Sequence, residues 1–395
     1  MSVDISKLDA ALKIQYAPGA IANLVYKNRP TLALIKKRSG VGGKKVQYDV
    51  AYEEGVGSAT FANAQTANDG SKFADFLLGK VNNYQIVEFT RGALLDTKGG
   101  GANAFFDAKT FEIDAKINAC SNDAATQLFR DSGGNRGQVG SIASAVLTLK
   151  NPRDVVNFSV GMSVVGSAAK AGTSPHTAVA ITAIDRTAGT LTAAAWTGYS
   201  ANDYLFRAGD IGGTATGLDD WLPTTTAAVG TLGGFDRSVD PTRLGGVRYT
   251  ASGEPIDQAM RELLTLMAIE GAAPDYFVLN PSDFNDLVTV MDNKVQYVDV
   301  SPADTPSVGF KAVQFACPTG MTRVMTDNKC PQGRGYALTL DTWEIFTSQS
   351  ALVEIIQDDG MMLKRRDTAD SFEVRVSAYW NLACRAPVKN GVVVF

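Results

Sequence analysis

The stretch "GKKVQYDVAYEEGVGSATFANAQTA", from Gly43 to Ala67, begins as a β-strand and continues as a long polar segment. Every second residue from Val46 to Tyr52 is apolar, which is the period of a strand with one buried face. From there to Val81 the chain is rich in Gly, Ala, Asn, Thr and Ser and has few apolar residues. This combination predicts a strand that leads into an extended loop.

The run "NNYQIVEFTRGAL", from Asn82 to Leu94, has the same alternation and predicts the second strand of a hairpin. A two-stranded ribbon is at best marginally stable in water, and its open edges pair readily with other chains. We therefore predict that a neighbouring subunit covers this hairpin. The candidate subunit contacts are basic residues of the preceding arm, acidic residues at the start of the loop and aromatic residues within it: Arg29, Lys36, Lys37, Arg38, Glu53, Glu54, Phe61, Phe73 and Phe76.

The longest helix signal lies between Asn103 and about Asp131, where apolar residues recur three, four or seven positions apart. Asn103 suits a helix N-cap, and Gly133 with Gly134 suits a helix stop. At a rise of 1.5 Å per residue, such a helix is roughly 40 Å long. We therefore predict a rod and not a short packing helix.

A series of short β-rich segments follows the predicted helix. Its clearest part is "VAITAIDRTAGTLTAAAWTGY", residues 179–199, in which two strand-like runs flank a turn of Asp, Thr and Gly. The same texture over about residues 138–214 predicts an inserted, barrel-like all-β domain. His176, the only histidine of the chain, falls in one of its turns and is predicted to be an exposed loop residue.

The second half of the chain mixes helices and strands in irregular order. Helices are predicted from Pro255 to Glu270 and from Pro281 to about Met291, and strands towards the end of the chain. This order indicates an α+β fold and argues against a doubly wound sheet.

The composition of the 395 residues, with 45% hydrophobic and 20% charged, is that of an ordinary globular protein. No apolar run is long enough for a membrane helix, and no secretory signal pattern is present. The formal net charge is −4, but residues 1–45 hold nine Lys or Arg against two Asp, a local balance of +7. A basic arm can bind phosphates or an acidic neighbouring subunit, and a merely solvated arm is the open alternative.

The sequence offers little catalytic chemistry. With one histidine, any His-dependent catalysis or metal binding has to pass through His176. The segment "GVGGKK" lacks the spacing and the Ser or Thr of a phosphate-binding loop. The four cysteines have no CxxC spacing, although a bridge between Cys317 and Cys330 stays open. We predict no catalytic residue, no cofactor and no metal site in a protein that is not an enzyme, with an enzyme relying on carboxylates alone as the alternative.

The order of these elements resembles that of tailed-bacteriophage major capsid proteins with the HK97-like fold. The resemblance rests on a basic arm, a long hairpin, a rod helix, an α+β unit and a terminal strand in "FEVRVSAYWNLACRAP". The stretches "NLVYKNRPTLALIKK" and Gly43 to Ala67 are similar to the corresponding region of that family. The resemblance implies the following division: 1–39 N-terminal arm, 40–98 extended hairpin loop, 99–137 spine helix and peripheral domain, 138–214 inserted all-β domain, 215–254 return to the peripheral domain, 255–370 axial domain and 371–395 C-terminal strands.

The resemblance implies a shell subunit that self-assembles into hexamers and pentamers of an icosahedral head around double-stranded DNA. It implies no sequence-specific DNA binding and no membrane association. It further implies synthesis in the cytoplasm of a host bacterium, a separate scaffolding protein and a portal, and it leaves room for a decoration protein. Deletion of residues 56–79 is then expected to give a folded subunit that forms no stable shell. An encapsulin-like nanocompartment is the alternative, and a phage tail or baseplate protein is a lesser one.

Overall fold

The computed structural model describes residues 29–55, 57–67, 70–92, 108–173, 175–292, 313–318, 320–357, 360–366 and 369–395. Its helices are α1 (Pro30–Leu34), α2 (Phe61–Ala67), α3 (Ala108–Leu128), α4 (Leu218–Trp221), α5 (Pro241–Gly245), α6 (Ile256–Ile269) and α7 (Pro281–Asp292). The strands of the first half are β1 (Lys36–Arg38), β2 (Lys45–Glu53), β3 (Lys72–Gly79), β4 (Val81–Thr90), β5 (Asn135–Ala143), β6 (Val146–Leu149), β7 (Ser163–Ser167), β8 (Val179–Asp185), β9 (Thr190–Ala193) and β10 (Tyr204–Arg207). Those of the second half are β11 (Thr231–Leu232), β12 (Phe235–Asp236), β13 (Val247–Thr250), β14 (Tyr276–Leu279), β15 (Val313–Cys317), β16 (Gly320–Thr326), β17 (Arg334–Leu338), β18 (Trp343–Thr347), β19 (Glu354–Ile355), β20 (Lys364–Arg365), β21 (Ser371–Cys384) and β22 (Gly391–Val394).

The ribbon formed by β2 and β3 differs from the hairpin predicted from the sequence. β2 pairs antiparallel with β3, from Lys45 opposite Gly79 to Glu53 opposite Lys72. The predicted partner, β4, instead pairs along its whole length with β21, from Val81 opposite Trp380 to Thr90 opposite Ser371. The prediction was wrong because β3 and β4 carry the same two-residue period, and only long-range packing distinguishes them.

The first sheet is built around β21, the longest strand. β18, β19 and β20 pair with one edge of β21, β4 pairs with the other, and β1 extends the sheet beyond β18. Helix α3 lies against β4 and β21. It contributes Ile113 to a small cluster with Val87, Phe89 and Val374, and Leu128 to the main core. The sheet and α3 together form the body on which the ribbon rests.

Helix α3 is shorter than the predicted rod within the described residues, and the predicted N-cap Asn103 lies outside them. It ends at Leu128 and not at Asp131. The Asp131 carboxylate accepts hydrogen bonds from the Gly133 N–H at 2.8 Å and from Asn135 Nδ2 at 2.5 Å, which turns the chain into β5. Gly134 has φ +87° at this turn, a conformation that favours glycine.

A closed barrel follows, with strand order β10-β5-β6-β9-β8-β7 and with every neighbouring pair antiparallel. This confirms the inserted barrel-like unit predicted from the sequence. The hairpin β8–β9 turns where Asp185 accepts hydrogen bonds from the N–H groups of Thr187 and Ala188. Closure leaves the barrel no open edge, and its interior is filled by apolar side chains such as Phe158 and Leu205.

The second large sheet has the order β13-β22-β17-β14-β16-β15 and mixes parallel with antiparallel pairs. Its central strands are apolar on both faces, and neighbouring residues serve different cores. Phe277 and Leu279 face the helices α6 and α7, whereas Val278 between them faces the main core. A sheet buried on both sides explains why these strands read as continuous apolar runs. The architecture is mixed α and β, as predicted.

Candidate assembly surface

The inner face of the ribbon belongs to the core of its own subunit. Tyr48, Ala74, Phe76 and Leu78 are all buried there. The Phe76 ring lies 5.2 Å from the Trp221 ring, centroid to centroid, in an edge-to-face arrangement. Phe76 was predicted to contact a neighbouring subunit, and this is wrong, because its own subunit encloses it completely.

The outer face and the tip of the ribbon are exposed. Phe61 on α2 is 80% exposed, and on β3 Phe73 is 61% and Leu77 is 42% exposed. Glu54 is exposed as well. Large apolar side chains rarely cluster in water without a partner surface to cover them. The structure therefore leaves Phe61, Phe73 and Glu54 available for an intermolecular contact.

At the base of the tip, Glu53 and Lys72 lie opposite each other and form an ion pair of 2.6 Å between Lys72 Nζ and Glu53 Oε2. The Lys72 ammonium lowers the pKa of the Glu53 carboxyl through this hydrogen bond and its charge. Arg243 donates from Nη1 to the Tyr52 carbonyl oxygen at 2.7 Å, which links the ribbon to α5. Glu53 therefore already has a partner within its own subunit.

Two carboxylates face each other on the outer face of the ribbon. Asp49 on β2 lies directly opposite Asp75 on β3. Along β3, Asp75 lies between the exposed side chains of Phe73 and Leu77. Gln47 Nε2 donates to Asp49 Oδ1 at 2.7 Å. Like charges at directly opposite positions of a ribbon oppose its formation. No local sequence pattern predicts this pair, because only the β2–β3 register brings the two residues together.

The basic residues of β1 lie at the edge of the first sheet. Lys36, Lys37 and Arg38 pair in parallel with β18, and all three are exposed. Arg38 Nη1 lies 3.7 Å from Glu344 Oε1, while Arg385 Nη2 lies 2.5 Å from Glu344 Oε2. The buried Glu344 carboxylate is thus shared by two guanidinium groups, and positive charge dominates this edge.

Arg29, also predicted as a contact, is held within the subunit. Its Nε donates to Asn122 Oδ1 at 3.0 Å, and its Nη2 donates to the Asn118 carbonyl oxygen at 2.9 Å. Burial against α3 lowers the pKa of the guanidinium. Arg29 therefore fixes the start of the described chain to the spine helix.

Buried charges hold the barrel on the body. Asp219 Oδ2 accepts from Lys170 Nζ at 2.8 Å, and Asp219 Oδ1 accepts from Arg334 Nη1 at 2.7 Å. Burial raises the pKa of the Asp219 carboxyl, but the charges of Arg334 and Lys170 outweigh burial and lower it overall. At the neighbouring Asp220, burial dominates, followed by repulsion from Asp131, and the pKa rises to about 6. The carboxylates of Asp219 and Asp220 at this junction are thus engaged by groups of the same chain.

His176 was predicted to be an exposed loop residue, but its side chain is only partly exposed, at 27%. Its Nε2 lies 3.0 Å from Asp203 Oδ2, and its ring centroid lies 5.1 Å from that of Tyr199. The same Asp203 oxygen accepts from the Ser200 N–H at 2.7 Å. The imidazole therefore packs a barrel loop onto Tyr199, an arrangement that pairs residues 27 positions apart and that no local pattern predicts.

The described residues contain no group of three or more His, Cys, Asp or Glu side chains arranged to hold a metal ion. Among them, no helix combines the length and the apolar character that crossing a bilayer requires. Cys330 is a buried free thiol, so the bridge to Cys317 does not form. Burial also raises the pKa of Cys120 and of Cys384 to about 12, which keeps both thiols protonated and unreactive.

No protein-family model matches the chain, and no curated protein matches it by sequence. Solved structures do match. A chain of the cyanophage A-1(L) capsid matches with a TM-score of 0.60 at 15% identity, over 97% of this chain and 96% of that chain. A capsid chain of an empty GTA particle matches with a TM-score of 0.51 at 11% identity, over 98% and 96%. An encapsulin from Synechococcus elongatus matches with a lower TM-score of 0.47 at 10% identity, over 99% of this chain and 94% of that chain. The first two likenesses show that the chain has the fold of these capsid chains, the HK97-like fold predicted from the order of its elements.

Proposed function

We propose that the protein is the major shell subunit of a tailed bacteriophage head and that it acts by self-assembly. The observation that carries this proposal is the ribbon, whose base is locked into its own core while its tip and outer face expose Phe61, Phe73 and Leu77. A monomer has no use for such a projection, whereas copies in a closed shell can cover it.

Under this proposal, the exposed contacts are Lys36, Lys37, Arg38, Glu54, Phe61 and Phe73. Of residues 40–98, the ribbon β2–β3 and its tip act as the extended loop over an adjacent subunit, whereas β4 stays in the sheet of its own subunit. Residues 255–370 act as the axial domain, and residues 138–214 act as an inserted domain that faces away from the shell floor. Each contact is modest, and many repeated contacts make a closed shell stable. The subunits are made in the host cytoplasm, assemble with a separate scaffolding protein and a portal into hexamers and pentamers, and enclose double-stranded DNA.

The enclosed DNA needs no specific site on the subunit. The net charge of −4 opposes tight binding of phosphate, so enclosure and not affinity retains the DNA. A decoration protein on the outer barrel surface is compatible with this arrangement.

Electron microscopy of the purified full-length protein tests the proposal. We expect closed shells, or rings of five and six subunits, and native particles that contain DNA. A variant lacking residues 57–70 is expected to remain folded and to form no stable shell. A strictly monomeric wild-type protein under all assembly conditions would overturn the proposal, and shells filled with protein cargo and free of DNA would assign it to the nanocompartment class instead.

The deletion of residues 56–79 expected from the sequence is not a valid test of this function. It removes β3, whose Ala74, Phe76 and Leu78 are buried in the main core. That loss is expected to unfold the subunit, so the deletion has to stop before Lys72.

A further inference from the structure

We propose that the Asp49–Asp75 face of the ribbon docks on the basic strand β1 of a second copy of this chain. The proposal rests on the proposed shell function and specifies which surface of the neighbouring copy the ribbon meets. We call these two surfaces the acidic face (Asp49, Phe73, Asp75 and Leu77) and the basic edge (Leu34, Lys36, Lys37, Arg38 and Arg385).

The carboxylates of the acidic face have no cationic partner among the described residues, and only the neutral amide of Gln47 donates to Asp49. Asp49 and Asp75 are exposed and lie opposite each other in the β2–β3 register. Among the ion pairs of the described residues, none includes either carboxylate. A ribbon that places like charges face to face is less stable by itself than one with a neutral or opposite pair. A cationic partner converts this repulsion into attraction.

The basic edge has the opposite imbalance. Four cations lie at this edge, Lys36, Lys37, Arg38 and Arg385, and the ion pairs there involve one carboxylate, Glu344, which Arg38 and Arg385 share. Glu344 is buried, and no ion pair among the described residues includes Lys36 or Lys37. Because the whole chain carries a net charge of −4, this edge is a local exception to its acidity. Complementary patches of this kind favour association and select its register.

The apolar side chains of the two surfaces match as well. On the acidic face, Phe73 and Leu77 stand on either side of Asp75 on the same face of β3. On the basic edge, Leu34 is 39% exposed and immediately precedes the turn into β1. A contact that buries these side chains around the charges gains apolar area and removes water from the ion pairs.

The occupant cannot be the same subunit, because the inner face of the ribbon is the face that packs on the body and the acidic face points away from it. Of the macromolecules that could meet the basic edge, a second copy also accounts for the acidic face, whereas nucleic acid would be repelled by Asp49 and Asp75. We therefore assign the acidic face and the basic edge to one contact between two copies of this chain.

Charge reversal in the full-length chain tests the contact. The double variant Asp49→Lys with Asp75→Lys and the double variant Lys36→Glu with Lys37→Glu are each expected to raise the subunit concentration needed for shells by at least about tenfold. All four reversals together are expected to restore shells, because the charges are again opposite. Circular dichroism of unassembled subunits should stay unchanged, since all four side chains are exposed. The thermal midpoint of the Lys36→Glu, Lys37→Glu variant measures the cost of placing a carboxylate at position 36 opposite Glu344.

Failure of rescue with folded subunits would overturn the contact, and so would normal assembly of both double variants. Normal shells with less nucleic acid in the Lys36→Glu, Lys37→Glu variant would also overturn it, by assigning the basic edge to the enclosed polyanion. Wild-type shells in these cases leave the proposed function intact, whereas a wild-type chain that never assembles defeats the function itself. Higher ionic strength should weaken wild-type assembly, because exposed charge pairs are screened.

Discussion

The barrel and the ribbon are both made of β-strands, but the barrel has no unpaired strand edge and the ribbon has an uncovered face. The barrel joins β10 to both β5 and β7, so each strand has two neighbours and the apolar side chains point inwards. The ribbon has two strands, one buried face and one exposed face that carries Phe73 and Leu77. A closed β unit can be stable by itself, whereas an open one depends on whatever covers it. The same chain thus contains one β unit with a covered apolar interior and one that leaves large apolar side chains exposed.

A large effect on stability is expected inside the barrel. Phe158 is buried among barrel side chains, and Phe158→Ala should lower the free energy of unfolding by about 3–5 kcal/mol, because it removes contacts and leaves a cavity. Chemical denaturation followed by circular dichroism measures the loss. Val160, two residues away, is 65% exposed and provides the matched control, with Val160→Ala expected within about 0.5 kcal/mol of wild type. Equal effects of the two substitutions would contradict the assignment of the barrel core.

An intermediate effect on stability is expected when the pH is lowered, because Asp220 titrates at the junction between the barrel and the rest of the subunit. Burial raises the pKa of Asp220 to about 6, so the folded chain binds this proton more readily than the unfolded chain. Protonation therefore favours folding, and the contribution of Asp220 to stability grows as the pH falls from 7 to 5, by about 1 kcal/mol.

The Asp220→Asn variant isolates this contribution. The Ser132 N–H donates to Asp220 Oδ2 at 2.6 Å, and the asparagine carbonyl oxygen can accept the same bond without titrating. Chemical denaturation at pH 7 and at pH 5 measures the free energy of unfolding of both proteins. As the pH falls, this free energy should rise in wild type relative to Asp220→Asn. A constant difference between the two proteins would show that Asp220 does not titrate in this range.

Substitutions on the outer face of the ribbon are expected to have the smallest effect on stability and a large effect on assembly. Phe73→Ala should change the free energy of unfolding by no more than about 0.5 kcal/mol, since the ring is exposed, but it should weaken shell formation. Phe76→Ala, three residues away on the inner face, should cost about 3–5 kcal/mol and so marks the opposite case. Light scattering and denaturation measure the two quantities on the same samples. A destabilised Phe73→Ala subunit would refute the division of the ribbon into two faces.

The sequence predicts the barrel well, because its strands are short, the pairs β5–β6 and β8–β9 are local hairpins, and its turns carry signals such as Asp185 with Gly189. It predicts the spine helix from its apolar spacing. It fails for the ribbon, because β3 and β4 are separated by Lys80 alone and alternate alike, while β4 finds its partner in β21, nearly 300 positions along the chain.

The candidate site divides in the same way. Exposed Phe61 and Phe73 and the basic residues of β1 follow from composition and spacing. The burial of Phe76 depends on Trp221 and Phe235, which are distant in sequence. The opposition of Asp49 and Asp75 depends on a strand register, which a one-residue slip would abolish. Properties that require two distant segments to meet are those that a single sequence does not display.

The position of β21 near the end of the chain determines when the first sheet can form during synthesis on the ribosome. Residues 135–207 contain every strand of the barrel, so this unit can close as soon as it emerges. β4 cannot pair before Ser371–Cys384 is made, and at 5–20 residues per second that takes roughly 20 to 80 s after initiation. Until then the sheet that carries the basic edge is incomplete. Under the proposed docking, a nascent chain therefore has no complete basic edge to offer to neighbouring copies on the same messenger RNA, and association waits until each copy is complete.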